Sequence, residues 1–232
     1  MGDTAIAENL HRVEERIASA AERAGRAPVD VTVVAVSKTR TIDEILRVVE
    51  AGAVDLGENY AQEMVEKADA LDGANVRWHA IGHLQTNKVR QIADFVSLVH
   101  SVDSLRVGEE IDRRAAQAGR AIAFLLQVNV SGEDSKFGVS EEDACSLALE
   151  LEALEHSRLV GLMTMPPYCE DPEQNRPHFV RLRKLRDRLV DRGVNAASLR
   201  HLSMGMTCDY EVAVEEGATI VRVGTAIFGP RG

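Results

Sequence analysis

Eight short runs rich in Val and Ile recur along the chain, and segments whose apolar residues have helical spacing lie between them. In the first couplet, Val31–Ser37 is almost continuously apolar, as a strand covered on both faces must be. In the segment between Ser37 and Gly52, the apolar residues have the spacing of one face of a helix, and Gly52 lies where such a helix would end. Strands and helices that alternate in this way predict parallel strands joined by right-handed crossovers.

The remaining strands are predicted near Val54–Gly57, Arg77–Gly82, Phe95–Val99, Ala121–Val130, Arg158–Met163, Leu199–Ser203 and Thr219–Val223. The remaining helices are predicted over Tyr60–Leu71, Leu84–Ala93, Ser104–Ala118, Glu141–Leu154, Pro172–Arg192 and Cys208–Glu216, with Ala5–Ala24 as an extra leading helix. Eight such units favour an α/β fold that closes into a single (β/α)8 TIM barrel. An open doubly wound sheet is the alternative, although no GxGxxG turn follows the first strand.

The chain is expected to form one domain over residues 1–232, with a leading helix in residues 1–27 and the β/α repeats in residues 28–232. A length of 232 residues lies within the range of single α/β barrels. No linker rich in Pro, Gly or Ser divides the chain, so nothing in the sequence indicates a second domain.

The charge balance limits the partners that this chain can have. Its 37 acidic and 27 Lys and Arg residues give a net charge of −10, which argues against nucleic-acid or anionic-membrane binding. Cys145, Cys169 and Cys208 are odd in number and widely spaced, so a disulfide framework is excluded. The N-terminus is too charged for a signal peptide, and no apolar run is long enough to span a membrane. We therefore expect a cytoplasmic protein without membrane or nucleic-acid partners.

In such a barrel the active site lies at the carboxyl ends of the strands, where Lys38 follows the most hydrophobic strand. Alternation along that strand puts Lys38 on the same face as Val34 and Val36. If this face points into the barrel, an apolar surrounding favours the neutral amine, which attacks aldehydes to form a Schiff base. The alternative is an ordinary solvated lysine at the end of a strand.

The loops that follow the seventh and eighth predicted strands, SMGMT and GTAIFG, predict a phosphate site. We call them the seventh and eighth loops. Glycines at positions 205 and 224 let backbone N–H groups approach an anion, and Ser203, Thr207 and Thr225 add hydroxyl donors. Loops after these two strands often bind phosphate in barrels of this type. The alternative is that Gly205, Gly224 and the hydroxyl residues are ordinary caps and turns.

Arg222, on the eighth strand, is predicted to face inward beside these loops. It is interpreted as a phosphate clamp or a donor to a ring nitrogen, and the alternative is a buried ion pair with Glu58 or another acid. A lysine on strand one, a phosphate cradle and an inward arginine together describe a site for a phosphorylated aldehyde. Pyridoxal 5′-phosphate (PLP) is the leading candidate.

Seven segments between Val31 and Gly229 closely resemble the pyridoxal-phosphate homeostasis proteins, the YggS-like family. They are AVSKTR, LGENYAQE, WHAIGHLQTNK, NVSGEDSKFGV, GLMTMPP, LSMGMTCDY and VRVGTAIFG. The resemblance implies a fold-type III barrel, similar to the N-terminal domain of alanine racemase, with PLP held as an aldimine on Lys38. It also implies a role for each of the other site residues: the phosphate ligands Ser203, Gly205, Gly224 and Thr225, Arg222 at the pyridine nitrogen, and Asn59 and His83 beside the ring. The family often has Ser where Thr207 stands, so the hydroxyl is kept.

The resemblance implies a carrier that buffers PLP or delivers it to PLP-dependent apoenzymes, without catalysis. An arginine at the pyridine nitrogen keeps that nitrogen unprotonated and makes the ring a poorer electron sink. The chain ends directly after the eighth strand, so we expect an open barrel mouth, no second β domain and a monomer. The first alternative is a PLP-dependent racemase-like enzyme with His83 or Tyr60 as base. The second is a sugar-phosphate enzyme that uses Lys38 for an aldol Schiff base.

Four other features have simpler interpretations. His79 and His83 are four residues apart, but their segment is predicted as a strand, so no metal site is expected. Lys136 is expected to line the entrance of the site, and the proline-rich loop Thr164–Pro177 is expected to form a lid or rim. The basic run Arg176–Arg192 is interpreted as the solvated face of an outer helix, because it carries an apolar stripe. The residues of this apolar stripe are Phe179, Leu182, Leu185 and Leu189.

Overall fold

The computed structural model describes residues 3–133 and 136–230, without the side chains of residues 3 and 4. Its centre is a closed sheet of eight parallel strands that follow one another in chain order. They are β1 Thr32–Val36, β2 Asp55–Glu58, β3 Arg77–Ala80, β4 Val96–Val102, β5 Ile122–Gln127, β6 Ser157–Met163, β7 His201–Ser203 and β8 Ile220–Val223. Because β8 pairs with β1, the predicted barrel is confirmed and the open sheet is wrong. Residues 1–2 and 231–232 of the expected domain lie outside the described residues.

The helices lie between the strands, close to the predicted positions. They are α1 Asp3–Arg23, α2 Ile42–Glu50, α3 Ala61–Ala70, α4 Thr86–Ile92, α5 Leu105–Ala118, α6 Ala144–Glu152, α7 Arg176–Asp191, α8 Tyr210–Glu215 and α9 Thr225–Phe228. The α2 helix begins with a capping box, in which Thr41 and Glu44 each accept the other's backbone N–H. Gly52, with φ of 110°, follows the end of this helix as predicted.

Alternate side chains of the strands pack into two separate apolar clusters. A small cluster fills the barrel interior, and its buried members are Val34, Leu98, Leu125, Met163 and Ile220. A much larger cluster lies between the outer face of the sheet and the helices. Trp78 belongs to this outer cluster and is 5% exposed, so it is a core residue.

The predicted leading helix is confirmed as α1, which packs against the last turns of the barrel. Its apolar face is buried through Leu10, Val13 and Ile17. Asn9 donates a side-chain hydrogen bond to the carbonyl of Ile227 in α9, 3.0 Å away. These contacts join the start of the described chain to the end of the repeat series.

The apolar stripe predicted for α7 is confirmed, because its four members are at most 2% exposed. The opposite face is basic, and its arginines pair with acids of neighbouring elements. Arg181 and Arg188 both contact Glu141 at 2.6 Å, and their side chains remain about half exposed. The basic run is therefore an outer face with ion pairs to the adjacent segment.

Candidate functional site

The predicted site residues lie at the carboxyl ends of five neighbouring strands. Barrel closure places β7, β8, β1, β2 and β3 side by side. Ser203 ends β7, Arg222 lies in β8, Lys38 follows β1, Asn59 follows β2 and His83 follows β3. The structure therefore gathers residues that are far apart in sequence into one arc of the barrel mouth.

Lys38 is half-buried in a tight turn directly after β1. The next residue, Thr39, has φ of 64°, which is the left-handed region. A β-branched residue is a true outlier there and costs about 1–3 kcal/mol, so the surrounding structure must hold the turn in place. One holding contact is the backbone N–H of Thr39, which donates to Oε1 of Glu63 in α3 at 2.6 Å.

A buried lysine of α3 holds the other side of this turn. Lys67 is 5% exposed, and its Nζ lies 2.7 Å from the carbonyl oxygen of Ser37. The same ammonium contacts carboxylate oxygens of Glu58 and Glu63, each at 2.7 Å. The Ser37 carbonyl and the Thr39 N–H are thus both held by one ionic cluster. We call Lys67, Glu58 and Glu63 the clamp, and it fixes the backbone on both sides of the predicted attachment lysine.

Within the clamp, Glu58 is the residue whose burial disfavours the ionised carboxylate. It is 1% exposed, and its Oε1 accepts hydrogen bonds from Lys67 and from the Ser37 hydroxyl. Its Oε2 has no hydrogen-bond partner among the described residues. Burial therefore raises the pKa of Glu58, although Lys67 and Ser37 oppose the change. The alternative that Arg222 pairs with Glu58 is wrong, because Glu58 bonds Ser37 and Lys67 instead.

Arg222 is 3% exposed, and its guanidinium donates hydrogen bonds to neutral groups. One terminal nitrogen donates to Oγ of Ser203 and the other donates to the carbonyl oxygen of Thr164 at 2.9 Å. Burial lowers the pKa of Arg222 to about 10, while the charge of Asp209 acts in the opposite direction. The side chain therefore stays cationic at neutral pH and can act only as a hydrogen-bond donor.

The seventh and eighth loops are joined by backbone hydrogen bonds. A backbone N–H of β8 donates to the carbonyl of Gly205 at 3.0 Å, and the N–H of Gly224 donates to Oγ1 of Thr207 at 3.3 Å. Gly205 has φ of 92°, and a Cβ there would lie 2.5 Å from the Cβ of Ala213. Only glycine fits this position. Thr225 is exposed at the start of α9, so the predicted phosphate residues share one end of the barrel.

The proline-rich loop after β6 is anchored to the seventh loop. The side-chain amide of Asn175 donates to Oδ2 of Asp209 at 2.7 Å and to the carbonyl of Pro167 at 3.0 Å. Asp209 also accepts the backbone N–H of Met206 at 2.7 Å. Asn175 and Asp209 are both at most 2% exposed. This buried pair fixes the expected rim loop to the backbone beside Ser203.

Asn59 and His83 close the other end of the arc. A Cβ on Gly82 would lie 2.4 Å from the carbonyl oxygen of Asn59, so these two loops are in direct backbone contact. The ring of His83 stacks on Phe137 with centroids 4.1 Å apart, and its Nδ1 lies 3.7 Å from a carboxylate oxygen of Asp103. The aromatic partner comes from the loop after β5, which the sequence did not connect with His83.

That loop folds back onto the end of its own strand. The β5 strand stops at Gln127 rather than continuing to Val130 as predicted, because Val128 instead forms a parallel bridge with Val139. Gln127 donates a side-chain hydrogen bond to the carbonyl of Phe137 at 3.1 Å. Lys136 is half-buried beside this contact. Residues 134 and 135 of the NVSGEDSKFGV segment lie outside the described residues.

Sequence reasoning missed a set of polar side chains inside the barrel. Asp55, His79 and His100 are each at most 5% exposed, and hydrogen bonds connect them to Ser203. Each is a polar residue in a strand of the sheet, and the barrel register is needed to pair them. His79 lies within β3, so its spacing to His83 has no helical meaning, in agreement with the strand prediction.

Regions away from the mouth offer less chemistry. Within residues 3–133 and 136–230, no group of three metal-ligating side chains is close enough to hold an ion. Among the described residues, one groove lies beside Glu141 and Leu185 and another lies beside Gln91 and Glu110. Across the described part of the chain, every helix is too short or too polar to cross a membrane.

The donor set of the arc fits PLP. This cofactor carries an aldehyde, a phosphate and a ring nitrogen, which require an amine, anion-binding donors and a hydrogen-bonding partner. The arc provides the amine of Lys38, the backbone and hydroxyl groups of the two joined loops, and the cationic guanidinium of Arg222. The buried acid nearest in sequence to these loops, Asp209, is neutralised in part by hydrogen bonds to Asn175 and to a backbone N–H.

Comparisons with known proteins agree with this chemistry. A family model described as alanine racemase, N-terminal domain, matches residues 8–232. A pyridoxal phosphate homeostasis protein of Aquifex aeolicus is 46% identical over 224 residues, which are 97% of this chain and 97% of that protein. The chain belongs to the pyridoxal phosphate homeostasis protein family.

Two further comparisons show how far the likeness extends. A Pseudomonas aeruginosa protein of the same name is 42% identical over 226 residues, covering 97% of this chain and 96% of that protein. The solved structure of PipY from Synechococcus elongatus, with PLP bound, has a TM-score of 0.85 and 32% sequence identity. It covers 97% of this chain and 100% of that chain, so the whole barrel is shared.

Proposed function

We propose that this protein binds PLP at the barrel mouth and takes part in the homeostasis of PLP in the cytoplasm. The observation that carries the proposal is the arc, in which Ser203 and Arg222 lie in adjacent strands and Lys38 directly follows the next strand. Its relatives bear the name pyridoxal phosphate homeostasis protein, and PipY has PLP bound in its solved structure. Each part of the arc matches one functional group of that cofactor.

The residues have separate roles in this proposal. Lys38 supplies the amine for the aldehyde, and the clamp holds its turn in place. The phosphate is held by backbone and hydroxyl groups of Ser203, Gly205, Thr207, Gly224 and Thr225. Arg222 donates to the ring nitrogen, while Asn59 and His83 line the ring. When bound, PLP supplies an electrophilic aldehyde and an electron-withdrawing ring.

We also propose that the protein is a monomeric, single-domain carrier without catalytic turnover, which hands PLP to PLP-dependent apoenzymes. Arg222 supports this role, because a donor-only partner leaves the ring nitrogen unprotonated and weakens the ring as an electron sink. The names of the relatives also describe homeostasis rather than a reaction.

The absorbance of the purified protein with PLP tests the binding proposal. Covalent attachment to an amine moves the absorbance band of the cofactor to a longer wavelength than that of free PLP, so the wild type should show this shifted band. Lys38→Ala should lose this band completely. Lys136→Ala, the matched lysine at the same end of the barrel, should keep it. Binding without any such band in the wild type would contradict the attachment.

Exchange of the α-hydrogen of amino acids in deuterated water tests the carrier role. A carrier should show no more exchange than free PLP at the same concentration. Exchange well above that level that disappears in Lys38→Ala would instead establish the racemase-like alternative.

A further inference from the structure

A chain of buried hydrogen bonds crosses the barrel interior from the mouth towards the amino ends of the strands. Oγ of Ser203 lies 2.9 Å from Nδ1 of His100, and Nε2 of His100 lies 2.9 Å from Nδ1 of His79. Nε2 of His79 lies 2.8 Å from Oδ1 of Asp55. All four residues are at most 5% exposed, so bulk water does not compete for these bonds.

The two ends of the chain fix the direction of its hydrogens. At the mouth, Arg222 can only donate, so Ser203 Oγ accepts from it. At the other end, burial acts to raise the pKa of Asp55, but hydrogen bonds from His79 and Arg77 outweigh it and lower the pKa. Asp55 is therefore an ionised acceptor, and Nε2 of His79 must carry a hydrogen.

One order of hydrogens follows when both imidazoles are neutral. Nδ1 of His79 is then an acceptor and takes the hydrogen bond from Nε2–H of His100. Nδ1 of His100 must in turn accept from the Ser203 hydroxyl. The single proton of Ser203 thus points into the barrel, and an anion at the mouth would meet only oxygen lone pairs.

One added proton reverses this order. Ser203 Oγ takes a proton from a protonated phosphate that binds at the mouth, while its own proton passes to Nδ1 of His100. The Nε2 proton of His100 then passes to Nδ1 of His79. His79 becomes an imidazolium beside the Asp55 carboxylate, and His100 stays neutral as the other tautomer. Ser203 now accepts two hydrogen bonds and has its own proton available for an anion.

We propose that His79 and His100 are positioning residues that turn the Ser203 hydroxyl towards a bound phosphate, with one proton taken up on His79 as the phosphate binds. The proposal rests on the proposed function, since it takes Ser203 as a phosphate ligand. Neither imidazole needs to touch the ligand for this coupling to operate.

The charges around the two imidazoles determine where the added proton is held. Asp55 of β2 faces the His79 end, whereas Arg222 of β8 and His201 of β7 face the His100 end. Burial, followed by the charges of His79, Arg222 and His201, lowers the pKa of His100 well below its ordinary value. His100 therefore passes the proton on, and the carboxylate stabilises it on His79. Arg77 of β3 completes this set by bonding Asp55.

Calorimetric binding of pyridoxine 5′-phosphate tests the coupling, because this ligand has the phosphate but no aldehyde to react with Lys38. We would titrate it at pH 8, where an ordinary histidine is neutral, in two buffers with different ionisation enthalpies. The wild type should take up about one proton per ligand. His79→Gln, which keeps a donor towards Asp55 but lacks the second ring nitrogen, should take up about none and bind about tenfold more weakly.

His201→Gln is the matched control, since His201 lies on β7 but its Nδ1 contacts Thr219 rather than the chain, at 3.3 Å. It should keep the proton uptake of the wild type. Nitrogen-15 NMR of the wild type gives a second readout that does not depend on a variant folding. On binding, His79 should change from one to two protonated nitrogens, and His100 should exchange tautomers.

The outcomes separate this proposal from the proposed function. Binding with no proton uptake and unchanged imidazole spectra would overturn the relay and leave PLP binding intact. Equal proton uptake in the wild type and His79→Gln would overturn it as well. If the ligand does not bind and PLP does not attach to Lys38, both proposals are wrong.

Discussion

The two halves of the arc are held by opposite kinds of interaction. Behind β1, on the outer face of the sheet, the clamp fixes the Lys38 turn with a buried ammonium between two carboxylates. Inside the barrel, Ser203 and Arg222 are held by neutral partners, including His100 and a backbone carbonyl. The two regions lie on adjacent strands and serve the same proposed ligand.

The difference shows how location determines the type of support. A position between strand and helix can draw a charged partner from the helix, as β2 does from Lys67 of α3. Inside the barrel, the charge of Arg222 is instead supported by a directional series of hydrogen bonds that begins at Ser203 and continues through His100. Such a series fixes orientation strictly, because each donor needs one acceptor.

The largest effect is expected from breaking the clamp with Lys67→Met. Removal of one partner of a buried ion pair leaves an uncompensated charge, so the free energy of unfolding at pH 7 should fall by about 3–5 kcal/mol. Urea denaturation measures this change. The exposed Lys184→Met is the matched control and should change stability by less than about 0.5 kcal/mol.

A second variant keeps the clamp prediction testable if Lys67→Met does not fold. The double variant Lys67→Met with Glu58→Gln removes the two most buried charges of the clamp and leaves only the part-exposed Glu63, so it should recover part of the lost stability. A loss of less than about 1 kcal/mol in the single variant would show that the clamp is not a buried ion pair in solution.

The second effect is an opposite pH dependence of the two buried carboxylates. Hydrogen bonds lower the pKa of Asp55 despite its burial. Ionised Asp55 therefore stabilises the fold at a pH above the ordinary pKa range of a carboxyl group, and this stabilisation is lost as the pH falls through the lowered pKa. Burial raises the pKa of Glu58. Its contribution to stability is therefore present at a pH below the ordinary carboxyl pKa range and is lost as the pH rises through the raised pKa.

Urea denaturation from about pH 3 to pH 7 measures both changes. The wild type should gain stability relative to Asp55→Asn as the pH rises, and lose stability relative to Glu58→Gln. Slopes of the same sign for the two pairs would contradict the contrast between the interior and the clamp.

The smallest effect is expected at Thr39, whose side chain is exposed. Glycine adopts the left-handed region without steric cost, whereas alanine retains most of the steric cost that threonine has there. Thr39→Gly should therefore be more stable than Thr39→Ala by about 0.5–1 kcal/mol in thermal or urea unfolding. Equal stability of the two variants would mean that the turn relaxes in solution.

Much of the fold follows from the sequence because its strands and helices have clear periodicities. The errors occur where tertiary contacts decide an end. The β7 strand begins at His201 rather than Leu199, since Ala196–Leu199 form a short helical turn capped by the side chain of Asn195. The first residues of the predicted α7 form another such turn, Pro172–Asn175, which anchors the rim loop.

The site was only partly predictable, for a physical reason. Lys38 and the glycine-rich loops are visible because they interrupt or end apolar strands. The clamp depends on Lys67, a lysine that looks like any other residue of an outer helix until α3 is packed on β2. The interior chain depends on the register between β3 and β4, where a bulge between Trp78 and His79 shifts the pairing. Periodicity alone contains neither relation.

Covalent mapping of the attachment site tests the central claim most directly. The protein would be incubated with PLP, reduced with borohydride, digested and analysed by mass spectrometry. We expect one major adduct on Lys38, with the half-buried Lys136 and Lys88 essentially unmodified. A major adduct on either of those lysines, or no adduct on Lys38, would contradict the account.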